Sequence, residues 1–124
     1  MKTLDLSSLA EAVSGPVLTP SDPGYAEELA AFNLAVTHTP DVVVGATDAE
    51  DVARTVQWAA RHGLTVAVQA TGHGAGAPYR EGVVISTGRM QDLTIDAATR
   101  LARIGAGVRW RSVIDAAAAH GLAP

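Results

Sequence analysis

A strand–helix–strand pattern in the middle of the chain limits the folds open to it. Val42 to Val44 form a continuous β-branched run, which is typical of a strand buried on both faces. The segment "TDAEDVARTVQWAARHG", residues 47–63, has apolar residues at helical spacing and ends in a glycine. Thr47 and Glu50 match a T-x-x-E capping box at its start. Residues 64–70, "LTVAVQA", predict a second strand, so the pattern indicates a βαβ unit with a parallel pair.

The segment before this unit gives weaker signals. Apolar residues between Leu4 and Ala10 predict a short helix or turn. The stretch "SGPVLTPSDPG", residues 14–24, contains three prolines and predicts a loop. Residues 25–33 predict a short helix, with Ser21 or Asp22 as its cap.

Strand patterns dominate the rest of the chain. The strands are predicted at 82–87, 92–96 and 100–108, and a last helix at 109–120 ends at Gly121. We therefore predict an α+β fold, in which a βαβ subdomain at about 37–70 precedes a mostly β subdomain that begins near Gly82. Residues 1–36 are interpreted as an N-terminal extension and residues 37–124 as one domain.

Composition excludes several classes of protein. The chain has 124 residues, within the size of one domain, and its net charge of −4 argues against a nucleic-acid or anionic-membrane surface. It has no cysteine, which excludes disulfides, a thiol nucleophile and a thiolate metal site. The absence of cysteine also fits a cytoplasmic protein. No apolar stretch approaches the roughly 20 residues that a membrane span needs.

The stretch "TGHGAGA", residues 71–77, is the candidate site, and its glycines allow several interpretations. Gly72, Gly74 and Ala77 fit the loose dinucleotide fingerprint G-x-G-x-x-A. That fingerprint needs a helix to begin within it, whereas Pro78 and a predicted strand follow here. A Walker loop is excluded because G-K-[ST] is absent.

Two other interpretations concern a metal and a simple turn. The histidines His38, His62, His73 and His120 show no paired spacing, so no metal site is predicted. A turn without function remains open, but glycines lose much backbone entropy on folding. Ligands of α/β proteins also bind to loops that follow parallel strands, where successive N–H groups can form an anion-binding nest.

The linked features resemble a known family. "GLTVAVQATGHGAGA", followed by residues 82–124, is similar to the first part of the FAD-binding domain of the FAD-linked oxidases, the group of p-cresol methylhydroxylase and vanillyl-alcohol oxidase. Within this group the pattern resembles the berberine bridge enzyme-like branch. The family's typical loop, R-S-G-G-H-[SN], corresponds to Gln69 to Gly74, and the resemblance covers roughly residues 37–124.

The resemblance implies roles for particular residues. The implied FAD-binding residues are Gln69, Ala70, Thr71, Gly72, His73, Gly74 and Ala75. Backbone N–H groups of 69–74 would wrap the pyrophosphate between the two subdomains, and His73 would carry the flavin covalently through its 8α-methyl group. Gln69 stands where the family commonly has an arginine, which removes one charge partner. Arg89 is expected on a solvated face and Trp110 in packing.

The resemblance also implies an activity. We expect an FAD-dependent oxidoreductase that oxidises a small organic alcohol, sugar or amine, or the flavin-anchoring N-terminal part of one. The alternative is a truncated, non-catalytic fragment that binds flavin or a partner. Catalytic residues are not identified, because the family's substrate domain and catalytic base would lie beyond Pro124. A chain of this length is expected to be incomplete and to self-associate.

Overall fold

A computed structural model of the chain describes residues 4–124, so the first three residues of the predicted extension lie outside the described part. The helices are α1 (Ser7–Ala12), α2 (Tyr25–Glu28), α3 (Ala49–His62) and α4 (Trp110–Ala118). The strands are β1 (Val17–Leu18), β2 (Val42–Gly45), β3 (Val66–Gln69), β4 (Val83–Ser86), β5 (Leu93–Asp96) and β6 (Leu101–Ile104). The mixed α and β composition that the sequence predicts is confirmed.

The main sheet has the strand order β1-β2-β4-β3. β2 and β3 both run parallel to β4, which lies between them, while β1 is antiparallel to β2. The predicted direct pairing of β2 with β3 is therefore wrong, and so is the start of the second subdomain near Gly82. All four residues of the central strand β4 are buried, whereas two of the four residues of the edge strand β3 are exposed.

The N-terminal segment packs on this sheet. β1 lies inside the stretch predicted as a loop, because its two residues pair with Val43 and Val44. α2 has only four residues and begins after Gly24, so neither Ser21 nor Asp22 caps it. Asp22 instead accepts hydrogen bonds from Thr19. The boundary predicted at residue 37 stays a prediction.

α3 begins one residue later than its sequence pattern predicts. Asp48 is the N-cap, and its carboxylate accepts a hydrogen bond from the backbone N–H of Asp51. The Thr47 hydroxyl donates to the Asp51 carboxylate, and Glu50 pairs with Arg54. The predicted Thr47–Glu50 capping box is therefore wrong, since the aspartate that follows Thr47 supplies the cap.

Two apolar clusters lie on opposite faces of the main sheet. One joins α1 and α3 to β2 and β4 and is formed by Leu9, Val13, Val42, Val44, Trp58, Ala59 and Val83. The other, beneath α2, is formed by Tyr25, Leu29, Val43 and Val84. Successive residues of β2 therefore face opposite clusters. Helices cover both faces of the sheet, and loops lie at the carboxyl ends of its strands.

The remaining strands form a separate ribbon. β5 and β6 pair antiparallel, with Leu93 opposite Ile104, and α4 packs on β5. Asp96 closes the turn between β5 and β6 by accepting hydrogen bonds from the N–H groups of Ala98 and Thr99. Gly121 has φ +67° after α4, as its predicted place at the helix end requires. Within residues 4–124, no helix combines the length and hydropathy needed to cross a bilayer.

Candidate functional site

The carboxyl ends of three parallel strands form one edge of the sheet. Gly45, Ser86 and Gln69 lie side by side there, since Ser86 is in register with both of the others. The glycine loop, residues 70–77, leaves the sheet directly after Gln69. In open α/β sheets this edge is where ligands bind, so topology and the sequence motif indicate the same place.

The three glycines of the loop have different surroundings. Gly72 has φ +72°, and a side chain there would collide with Ala31. A Cβ on Gly74 or Gly76 would meet no atom within 4 Å. Gly72 therefore fits the loop to the protein behind it, while Gly74 and Gly76 leave the outer surface bare for a close approach.

The loop also offers free hydrogen-bond donors. Among residues 4–124, the N–H groups of Gly72, His73 and Gly74 have no acceptor within hydrogen-bonding distance. Successive N–H groups without internal partners are the elements of an anion-binding nest. The nearby arginine is already engaged: Arg89, which is 44% exposed rather than fully solvated, binds Glu28 beside Gly45.

Glu28 and Arg89 form an ion pair at the carboxyl ends of the strands. Burial by itself would raise the pKa of Glu28, but hydrogen bonds from Arg89 and Ser86 lower it below its usual value. The carboxylate is therefore ionised at neutral pH and balances the guanidinium. As a result, Arg89 is already paired, and within the loop itself the backbone N–H groups are donors available to an anion.

His73 is exposed and is held through one ring nitrogen. Its Nδ1 lies 2.6 Å from the Thr71 hydroxyl oxygen, and either group can donate in this hydrogen bond. When Nδ1–H donates to Thr71, Nε2 carries the free lone pair. A neutral imidazole in this tautomer can act as a nucleophile.

Gln69 lies beneath the loop, not on its outer surface. Its side chain is buried, and Nε2 donates to the carbonyl oxygen of Leu29 at 3.1 Å. The backbone carbonyl oxygen of Gln69 accepts a hydrogen bond from the Thr87 N–H at 2.9 Å. Oε1 has no partner among residues 4–124. The side chain therefore joins the loop to Leu29, the residue that follows α2. Leu29 lies 40 positions earlier in the chain, so the sequence does not reveal this orientation.

Two clefts flank His73. The smaller, of about 270 Å³, is lined by residues 68–75 and Tyr79. The wider one, of about 570 Å³, is lined by Phe32, Ala70, Thr71, His73, Gly107, Val108, Arg109 and Trp110. Trp110 is 56% exposed in this cleft, so its predicted packing role is wrong.

The wider cleft contains residues that sequence analysis did not assign to a site. Phe32 and Arg109 belong to no motif. The only features that could have indicated them are a large apolar side chain in a loop for Phe32 and a charged side chain next to a glycine-rich segment for Arg109. A Cβ on Gly107 would collide with the carbonyl of Thr87. Among residues 4–124, no three His, Asp or Glu side chains lie close enough together to hold a metal ion.

Known proteins share this arrangement. The family model described as FAD binding domain matches residues 40–124, more than half of the chain. The chain belongs to this FAD-binding domain family. The match includes the glycine loop and confirms the resemblance to the FAD-linked oxidases and the expected cofactor, FAD.

Two relatives indicate how much of a larger protein the FAD-binding domain represents. (R)-6-hydroxynicotine oxidase of Paenarthrobacter nicotinovorans is 31% identical over 114 residues, which cover 90% of this chain and 25% of that protein. D-lactate dehydrogenase of Archaeoglobus fulgidus is 37% identical over 84 residues, 65% of this chain and 19% of that protein. The FAD-binding domain thus spans a quarter or less of the length of these relatives.

A solved structure shows the same fold. The crystal structure of 6-hydroxy-D-nicotine oxidase from Arthrobacter nicotinovorans superposes with a TM-score of 0.82 at 30% sequence identity. The superposition covers 99% of this chain and 26% of that one. Residues 4–39 of this chain, which precede the family match, therefore belong to the shared fold as well.

The residues present fit a dinucleotide pyrophosphate. Added Cβ atoms would fill the bare surface at Gly74 and Gly76. The N–H groups of residues 72–74, which have no partner among the described residues, suit an anionic ligand. The position at the carboxyl edge of parallel strands agrees with this chemistry. The glycine loop is therefore the part of the chain best suited to hold FAD.

Proposed function

We propose that this chain is the FAD-anchoring part of an FAD-dependent oxidoreductase of the berberine bridge enzyme-like branch. The observation that carries the proposal is the glycine loop, in which three successive N–H groups lack partners among residues 4–124 at the carboxyl edge of the sheet. The membership in the FAD-binding domain family supports it. FAD supplies the two-electron chemistry when bound, and the protein supplies binding and orientation.

Each part of the site has a role in this proposal. The N–H groups of Gly72, His73 and Gly74 bind the pyrophosphate, while Gln69, Ala70, Thr71 and Ala75 complete the loop that contacts FAD. His73 is the residue that would hold the flavin covalently, with its imidazole attached at the 8α carbon. Thr71 orients the imidazole through its hydrogen bond to Nδ1. The wider cleft, next to His73, is where the flavin ring would lie.

The substrate class follows from the relatives' names. One relative is named for 6-hydroxynicotine and another for D-lactate, which are both small organic molecules. We propose a small alcohol, sugar or amine as the substrate of this protein too, in the cytoplasm.

A second candidate function has its own observation. Large apolar side chains are exposed on the chain, with Leu34 at 90%, Phe32 at 77% and Leu101 at 67%. Such surfaces favour self-association or contact with a partner. A non-catalytic fragment that binds flavin or another protein is therefore the alternative, and its flavin would not be reduced by any substrate.

The test begins with the purified complete natural protein. The proposal expects flavin absorbance that copurifies with the protein, followed by bleaching when alcohols, sugars or amines are added without oxygen. Bound flavin that no member of a broad panel reduces would favour the non-catalytic alternative. A colourless protein that does not take up added FAD would contradict the proposal.

A further inference from the structure

The glycine loop has few bonds of its own. Within it, the Ala75 N–H donates to the Gly72 carbonyl at 3.4 Å, and Thr71 contacts His73. A loop with three glycines would sample many conformations if nothing else held it, because glycine restricts the backbone least. Its shape must therefore come from other parts of the protein.

Residues 29–39, which we name the backing segment, run behind the glycine loop. At the start of the loop, the Leu29 carbonyl accepts from the Gln69 amide, and the Phe32 N–H donates to the Thr71 carbonyl at 2.7 Å. In the middle of the loop, Asn33 Nδ2 donates to the Ala75 carbonyl at 3.2 Å. These bonds hold the first half of the loop from behind and leave its outer N–H groups free.

The backing segment also holds the residue that ends the loop, Tyr79. The Tyr79 N–H donates to His38 Nδ1 at 3.0 Å, and the Tyr79 carbonyl accepts from the Thr39 N–H at 2.7 Å. The His38 and Tyr79 rings stack at 4.6 Å between centroids. His38 is only 4% exposed, so water competes little for this hydrogen bond. Five hydrogen bonds thus join the backing segment to residues 69–79.

We propose that the backing segment holds the glycine loop in its FAD-binding shape before FAD arrives, with Asn33 and His38 as positioning residues. The inference rests on the proposed function, since it assumes that the loop binds FAD. Ordering a loop costs conformational entropy. If the loop is ordered before FAD binds, this cost does not reduce the free energy of binding. Asn33 and His38 supply the side-chain bonds of the backing segment, so substitution can remove each of them separately.

Three substitutions separate hydrogen bonding from packing. Asn33→Asp keeps an oxygen that accepts from the Ala35 N–H, as Oδ1 does now, but loses the donor to Ala75. His38→Phe keeps a ring against Tyr79 but loses the acceptor. His38→Asn loses the ring but places an acceptor oxygen where Nδ1 lies. Leu34→Gln, at an exposed position of the same segment, is the matched control.

The test measures FAD affinity and loop order in the complete natural protein. A His73→Ala background keeps FAD binding reversible, and flavin fluorescence reports the dissociation constant. We expect Asn33→Asp and His38→Phe each to weaken FAD binding by about tenfold, since each removes one partly buried hydrogen bond. His38→Asn should restore most of the affinity, and Leu34→Gln should leave it unchanged.

Hydrogen exchange of the FAD-free protein gives a readout that does not depend on FAD. The hydrogen-bonded amides of this region, those of Phe32, Thr39, Ala75 and Tyr79, should exchange faster in Asn33→Asp and His38→Phe, while those of β2 and β4 keep their protection. Unchanged exchange at these four amides would overturn the proposal, and so would a loss in His38→Phe that His38→Asn does not rescue. If the parent binds no FAD, the proposed function fails, and the exchange data still decide whether the backing segment orders the loop.

Discussion

At the residue scale, neighbouring positions of the glycine loop face opposite directions. Gly72 faces Ala31 with φ +72°, whereas Gly74 faces open space. A sequence motif shows only that both are glycines. Gly72 fits against the backing segment, whereas Gly74 leaves the backbone open to a ligand. This difference depends on contacts with the backing segment, which the local sequence does not reveal.

Substitutions at the two glycines should therefore have different effects. Gly72→Ala places a Cβ in the left-handed region and against Ala31, and we expect it to destabilise the protein by about 2 kcal/mol. Gly74→Val has room in the fold, so it should lower FAD binding with little change in stability. Thermal unfolding without FAD and FAD titration measure the two effects. Equal losses of stability in both variants would contradict this assignment.

A second residue-scale prediction concerns His73. After acid precipitation of the natural protein, we expect flavin to remain with the pellet, because the proposed bond to His73 would hold it there. His73→Ala should release the flavin to the supernatant, while His120→Ala, which changes an exposed histidine beyond α4, should not. Flavin that stays attached in His73→Ala would show that another residue forms the link.

At the element scale, the start of α3 is joined to the N-terminal segment by Asp51. Its carboxylate accepts hydrogen bonds from the N–H groups of Ser14, Gly15 and Thr47, and from the Thr47 hydroxyl. Burial raises the pKa of Asp51, but these hydrogen bonds together lower it below its usual value of 3.8. The negative charge also lies near the positive end of the helix dipole.

This lowered pKa makes stability depend on pH. A group whose pKa falls on folding stabilises the protein above its unfolded pKa, and that contribution disappears as the pH falls through the folded pKa. We expect the unfolding free energy to decrease below about pH 4, the ordinary range of a carboxyl group. Asp51→Asn should cost about 2 kcal/mol at neutral pH and flatten this acid dependence.

Denaturant unfolding from pH 7 to pH 2.5 measures both effects. Glu28 also has a lowered pKa, so Glu28→Gln serves as the comparison that separates its contribution. An acid slope of the same size in Asp51→Asn and in the unsubstituted protein would rule out Asp51 as the main source.

The sequence predicts elements with strong local patterns and fails where distant contacts decide. α3 follows from helical periodicity and β2 from the β-branched run at Val42 to Val44. The place of β4 between β2 and β3 does not, since any of the three could be central on local pattern alone. β1 was missed because two residues acquire strand geometry only by pairing with β2. The loop's function came from family resemblance, and the orientation of Gln69 was decided by Leu29.

At the scale of the whole molecule, the chain leaves much apolar surface uncovered. Val66 and Val68 on the edge strand β3 are 37% and 56% exposed, and Ile104 and Ile114 are exposed on the ribbon and α4. The (R)-6-hydroxynicotine oxidase relative has about four times the matched length, given that the match covers 25% of it. Further structure is needed to surround a flavin ring and a substrate.

Residues 1–124 produced by themselves should therefore be catalytically inactive. We expect weak FAD binding through the glycine loop, self-association through the exposed apolar side chains, and no turnover. Light scattering gives the size of the assembly, and peroxide formation with alcohols, sugars and amines reports activity. Sustained turnover by a monodisperse sample would refute this expectation.

The backing segment has a consequence for how such a protein can be recombined. The family match begins at Pro40, whereas the five bonds that hold the glycine loop come from residues 29–39. A chimera joined at Pro40 would inherit the cofactor loop without its support, even though the transferred piece is a whole family unit by sequence. A junction placed before Tyr25 would move loop and support together. Under this proposal, the segment that must be transferred for FAD binding is longer than the segment that the family model matches.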